Sequence, residues 1–206
     1  MYNDLDAAKL RVLLADRDKK ILDAYAELNR RREESATYFE EARTDFQTRL
    51  KNRRDAYEFM SGILRRRREG DRHAAVAILD LDDFKLVNDA IGHNAGDEVL
   101  TAVGKLIKRR LRPGDHGARW GGDEFVLTFD KTTEEEGQAI IVAIRKDLER
   151  YTFDFNALRT KEQAIHPSFT YGIAELDETV TTPEAFVNKA DQRLLTFKEG
   201  RPPRGR

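Results

Sequence analysis

The segment Ala74–Leu81, AAVAILDL, is a short apolar run that closes on acids and continues into Asp82 and Asp83. A run of that length and composition fits a buried strand, and a buried strand presents its polar groups at its C-terminal end. Arg119–Phe129 reads as two further short strands around Gly121-Gly122, because paired glycines supply the positive φ angles of a tight hairpin. Asp123 and Glu124 follow those glycines directly. Between and after these strands the period changes. Asp97–Leu111 places Val99, Leu100, Val103, Leu106 and Ile107 on one helical side, with Lys108, Arg109 and Arg110 in its last turn and a stop at Arg112-Pro113-Gly114. Glu134–Arg150 is a second amphipathic helix, Ser168–Ala174 a strand, and Pro183–Phe197 a last helix with proline in its first turn. The pattern predicts an α/β (α+β) domain.

The amino-terminal part has a different grammar. From Asp4 to about Ala42 there is no Pro or Gly, charge is dense, and Leu14, Ile21, Tyr25, Leu28, Phe39 and Ala42 fall on a heptad seam interrupted by Asp18, Arg32 and Ser35. This predicts one long helix whose stripe is too narrow to form a core alone, and whose simplest partner is its copy in a second chain, as a coiled coil. The interrupted seam predicts weak or switchable pairing. At the other end, Arg201–Arg206 is rich in Pro, Arg and Gly and is expected to be a disordered tail.

Composition narrows the function classes. Lys and Arg number 37 against 38 Asp and Glu in 206 residues, a net charge of -1, which leaves no electrostatic footprint for nucleic acid or an anionic membrane. No run approaches the roughly 18 apolar residues of a membrane span, and Met1–Leu14 lacks the pattern of a signal peptide, so a soluble, cytoplasmic chain is expected. There is no cysteine, so a bound metal would take oxygen or His ligands. Carboxylates are available in two clusters beside strands: Asp80, Asp82 and Asp83, and Asp123 with Glu124. Magnesium commonly uses one or two protein carboxylates plus phosphate oxygens, so the two clusters together suit a metal–triphosphate site. Taken singly, acids at strand ends also serve as turn formers and solvated caps.

The residues RWGGDEF at Arg119–Phe125 contain the signature GGDEF, and LDLDDFKLVNDAIGHNAGDEVL at Leu79–Leu100 resembles the pattern D-x-D-x-F-K-x-x-N-D-x-x-G-H-x-x-G-D-x-x-L of the same family, the diguanylate cyclases. The resemblance runs from about Thr44 to Arg201. At its start, Asp45, Thr48, Leu50, Asn52, Arg53 and Arg54 fit the family opening D-x-L-T-G-L-x-N-R-R, whereas Gln47 and Arg49 replace its first leucine and its glycine. Loss of that glycine suggests a straighter, more helical approach to the domain.

The resemblance implies a palm-like nucleotide-cyclase fold, a mainly antiparallel central sheet flanked by helices, over 44–201, preceded by a dimerising helix at 1–43 that receives input. It implies two Mg²⁺ (or Mn²⁺) ions held by Asp80, Asp123 and Glu124 and by the carbonyl of Leu81. Asp123, Glu124 and Lys85 would be the catalytic residues, with Asp123 favoured as base. Phe84 and Lys85 would cradle phosphates, Asn88 and Asp97 would read guanine, and Lys198 and Arg201 would reach the triphosphate. Arg112 and Asp115 correspond to an inhibitory R-x-x-D site for the product, with Arg145 as a further phosphate contact. The closing motif is altered: the usual Tyr and Ala are replaced, and the segment is one residue short before Gly200-Arg201. The implied reaction joins two GTP into cyclic di-GMP and two pyrophosphates across a homodimer. The alternative is an inactive receptor for GTP or cyclic di-GMP.

Overall fold

The computed structural model describes residues 3–68, 73–153 and 167–200. It divides into two compact units, Met1–Ala42 and Arg43–Arg206. The first contains one continuous helix, α1 (Asn3–Glu41), in which the seam residues Leu14, Ile21, Tyr25, Leu28 and Phe39 are exposed. No helix among the described residues is long and apolar enough to cross a membrane. The expected tail, 202–206, lies outside the described residues.

The second unit is built on five strands, β1 (Lys51–Asn52), β2 (Ala74–Asp82), β3 (His116–Arg119), β4 (Glu124–Asp130) and β5 (Ser168–Glu175), in the spatial order β1-β3-β4-β2-β5. Only the β1–β3 pair is parallel; the others are antiparallel, so the sheet is mixed and mainly antiparallel as expected. β2 is bordered on both sides, and its alternation sorts the interior. Ala75, Ala77, Leu79 and Leu81 enter one core, and Ala74, Val76 and Ile78 enter the other.

Three helices, α3 (Phe84–Ile91), α4 (His93–Arg110) and α5 (Glu134–Glu149), cover the first face through Val87, Val99, Val103, Ile107, Ile141 and Ile144. The opposite face is covered by α2 (Arg53–Arg68) and α6 (Pro183–Glu199), through Ala56, Met60 and Ile63 and through Phe186, Ala190 and Leu194. Thr182 caps α6, its hydroxyl accepting from Ala185 N at 3.1 Å, and Pro183 occupies the position where a missing N–H costs nothing.

Two local expectations are overturned. The segment before β1 is a tight turn, because Arg49 adopts φ 58 in place of the family's glycine. The turn is held by its own hydrogen bonds: Asp45 Oδ1 accepts from Thr48 N at 2.8 Å and Thr48 Oγ1 at 2.7 Å, and Asp45 N donates to Leu50 O at 2.8 Å. These bonds offset the roughly 1–2 kcal/mol that a side chain costs in the left-handed region. The hairpin glycines, conversely, do not take positive φ; among the described glycines Gly92 and Gly114 do.

Candidate active site

The acids converge because of sheet register. Asp80, near the end of β2, stands directly across from Glu124, the first residue of β4, and Leu81 N donates to Asp123 O at 3.2 Å. Both cross-strand acids point to the α2/α6 face, where α6 delivers Lys198 with its Nζ 2.7 Å from Asp80 Oδ1. Burial, together with the negative charges of Asp80, Asp123 and Asp191, pushes the Glu124 carboxyl above its ordinary range.

Asp82 belongs elsewhere. Its carboxylate accepts from Ser168 Oγ at 2.7 Å and Thr170 Oγ1 at 2.6 Å, tying β2 to β5. Asp83, at φ 56, turns the chain into α3, and its carbonyl accepts from Leu86 N at 2.8 Å.

Gly121 matters through size and Gly122 does not. A Cβ on Gly121 would come 2.8 Å from Glu124 Oε2, whereas one on Gly122 would meet nothing within 4 Å. The hairpin is braced by Arg119, whose guanidinium donates to Gly122 O at 2.7 Å and Gly121 O at 3.2 Å and pairs with Asp45 at 3.3 Å. The Arg53 guanidinium lies over the Trp120 ring at 4.5 Å, and Tyr57 packs against the same ring at 4.9 Å between centroids. A cavity of about 300 Å³ opens there, lined by Arg53, Tyr57, Trp120, Glu124, Asn188 and Asp191.

The N-terminus of α3 supplies a different chemistry. The first amides of a helix have no intrahelical acceptor and carry the positive end of its dipole, so Phe84 and Lys85 combine main-chain donors with the exposed Lys85 ammonium. Asn88, one turn on, packs on α4: a Cβ on Gly96 would overlap its Oδ1 at 2.0 Å. Asp97, next in sequence to Gly96, is exposed.

The remaining expected residues lie apart. Arg112 and Asp115 flank a turn with Gly114 at φ 101, in which Asp115 N donates to Arg112 O at 3.0 Å and Arg112 N donates to Asp115 Oδ2 at 3.0 Å. Burial raises the Asp115 carboxyl. Arg145 on α5 stacks on Tyr171 at 4.9 Å and Phe169 at 5.4 Å, two rings of the edge strand β5. No contact joins it to Arg112 or Asp115 among the described residues. Arg201 lies outside the described residues.

No group of three or more His, Cys, Asp or Glu side chains is closed around a common metal position among the described residues. The oxygens on offer are the carboxylates of Asp80, Asp123 and Glu124 and the carbonyl of Leu81. That fits a hard cation that takes a few protein oxygens and completes its shell with ligand and water, as magnesium does.

The sequence reading missed Asp191, whose charge acts on Glu124, and the bracing role of Arg119. Asp191 and Lys198 are seven apart on α6, two helical turns, and that spacing was available to indicate a shared face.

A palm-like sheet with paired acids on adjacent strands, beside a helix N-terminus open to anions, defines a nucleotide-handling domain. Comparison with known proteins narrows this: the family model for the diguanylate cyclase GGDEF domain matches residues 42–202, and the chain belongs to that family. It is 28% identical to diguanylate cyclase A of Treponema denticola over 89% of this chain and 49% of that protein. It is 33% identical to diguanylate cyclase TpbB of Pseudomonas aeruginosa over 82% of this chain and 38% of that one. The chain thus spans about half, or less, of the length of these relatives. Among solved structures, the coiled coil and GGDEF domain of DgcB from Caulobacter crescentus, in complex with c-di-GMP, superposes with a TM-score of 0.78 at 26% identity, covering 89% of this chain and 94% of that one. SiaD of Pseudomonas aeruginosa, in complex with its activator SiaC, gives a TM-score of 0.70 at 27% identity, covering 94% of this chain and 75% of that one.

Proposed function

We propose that this chain is a diguanylate cyclase that condenses two GTP into cyclic di-GMP and two pyrophosphates across a homodimer. The observation that carries the reading is the pairing of Asp80 with Glu124 across β2 and β4, with Asp123 one residue away on the hairpin and Lys198 against Asp80. Asp80, Asp123, Glu124 and the Leu81 carbonyl would hold two Mg²⁺ or Mn²⁺ ions, which when bound offset charge on the triphosphate and its leaving pyrophosphate. The protein's own residues position the substrate. The α3 amides and Lys85 hold the outer phosphates, Lys198 adds a point charge, and Asn88 and Asp97 take the guanine edge, Asp97 accepting from N1–H and N2–H. Asp123 takes the proton of the 3′-hydroxyl as its oxygen attacks the α-phosphorus of the facing GTP. The phosphorus–oxygen bond to pyrophosphate breaks in the same displacement, and the exchange occurs once in each direction.

Because each domain holds one GTP, α1 serves to bring a second domain within reach, and the assignment of 1–43 to dimerisation and input and of 44–201 to catalysis follows. Arg112 and Asp115 would bind the cyclic di-GMP product and inhibit, with Arg145 reaching it only by leaving its stack on Tyr171 and Phe169. GTP and the product are the partners this reading requires, in the cytoplasm, and neither nucleic acid nor membrane has a part in it.

The test is chromatographic detection of cyclic di-GMP from GTP and magnesium. Asp123→Asn should lower turnover at least about 100-fold, a loss in the range expected for general-base chemistry, with an unchanged melting temperature. Undiminished turnover in that variant would overturn the assignment of Asp123. A wild-type protein that binds cyclic di-GMP tightly yet forms none would be a receptor instead.

A further inference from the structure

The turn Asp45–Leu50 lies along one side of α4. Gln47 Nε2 donates to the main-chain carbonyl of Asp97 at 2.9 Å and to Thr101 Oγ1 at 2.8 Å, and the Thr101 hydroxyl donates to the same Asp97 carbonyl at 2.8 Å. One residue on, Thr48 meets α4 at Gly104, where a Cβ would come within 2.5 Å of Thr48 O. Positions 97, 101 and 104 form one stripe of the helix, so the turn is seated on it at three successive levels. Through Asp45, the same turn pairs with Arg119, which holds the Gly121-Gly122 carbonyls. A single turn therefore grips both the helix that carries Asp97 and the hairpin that carries Asp123.

Gln47 stands where the family pattern has leucine, a side chain with no hydrogen to donate. We propose that Gln47 is a positioning residue for base selection: by holding the Asp97 carbonyl, it fixes where the Asp97 carboxylate meets the guanine edge. This rests on the reading of Asp97 as a guanine acceptor. The Asp97 carbonyl lies at the start of the second turn of α4, on the backbone that carries the Asp97 side chain, and the Gln47 amide supplies it with a donor from outside the helix. A carboxylate must be held to within about 0.5 Å to keep two donors of the base at once, so loosening this anchor weakens the distinction between purines before it affects the displacement at phosphorus.

The experiment uses the full chain with Gln47→Met, which keeps size and neutrality and removes the donor, and with Asp97→Ala as reference. Steady-state kinetics are taken with GTP and with inosine triphosphate, which lacks the 2-amino group. Gln47→Met should raise KM for GTP about fivefold, the scale of one lost hydrogen bond, leave kcat within about twofold, and lower the GTP-over-ITP ratio of kcat/KM. A merely structural staple would not change that ratio. Should Gln47→Met fail to fold, Thr101→Val, which removes the other anchor of the same carbonyl, should lower the ratio. An unchanged ratio in Gln47→Met beside a lowered one in Asp97→Ala would overturn the proposal and leave the guanine reading standing. An unchanged ratio in Asp97→Ala would overturn both.

Discussion

His116 is a buried imidazole whose Nε2 lies 2.6 Å from Asp55 Oδ1, with the Phe59 ring stacked on it at 4.6 Å. Its Nδ1 is buried without a partner. Burial holds the imidazole below its ordinary value against the pull of Asp55, so the neutral Nε2–H form donates to Asp55, while Arg43 pairs with that carboxylate and keeps it ionised. The unfolded chain therefore takes up a proton before the folded one does. The associated stability is complete above the ordinary imidazole value of about 6.5 and is lost as pH falls through it towards the lower folded value. Asp55, whose carboxyl is lowered, loses its contribution only further down, in the carboxylate range. Melting temperatures at pH 7.5 and 5.5 should fall more in the wild type than in His116→Gln. At this scale the sequence was informative where a residue acts through its type. Asp80, Asp123, Glu124, Lys85 and Lys198 were picked out by acidity or charge at motif positions. Gln47 and Arg49 were visible only as departures, because a side-chain amide on a helix carbonyl and a left-handed non-glycine residue leave no local signal.

The elements were readable wherever an apolar period was intact, and their ends wherever a cap was present. Helix α5 opens with a capping box: Glu136 N donates to Thr133 Oγ1 at 3.3 Å and Thr133 N donates to Glu136 Oε2 at 3.0 Å. Thr133→Ala should cost about 1 kcal/mol, a fall of roughly 2–4 °C in melting temperature for a chain of this size, without altering kcat. Calorimetry and initial rates check both parts. Helix α2 escaped the sequence reading because its buried positions Ala56, Met60 and Ile63 are spread among arginines that end in RRRR. β1, at two residues, is too short to carry a period. The division between α3 and α4 depends on Gly92 at φ 104, which sits between two stretches of compatible helical sequence. The β2–β4 register, on which the pairing of Asp80 with Glu124 depends, was not legible, because both strands are buried on both faces and show no alternation of buried and exposed residues, whereas the hairpin between β3 and β4 was legible from its glycines even though neither takes a positive φ and Gly121 alone acts by smallness.

For the molecule as a whole, the exposed seam of α1 and the proposed reaction between two facing domains lead to one expectation. A chain lacking residues 1–42 should keep its fold, since Arg43–Arg206 is a compact unit with both cores, yet lose at least about tenfold in turnover at low protein concentration and regain part of it on concentration. Light scattering and rates across a dilution series measure this, and turnover independent of concentration would remove the role given to α1. Asp80, for its part, is carried by β2, which has β4 on one side and β5 on the other and sends residues into both cores. Sheets open from their rims inward, so the acid-bearing end of this strand is protected by a neighbour on each side. Warming that frays β1 at the border would leave the pairing of Asp80 with Glu124 in place, and heat would separate the two only together with the fold itself.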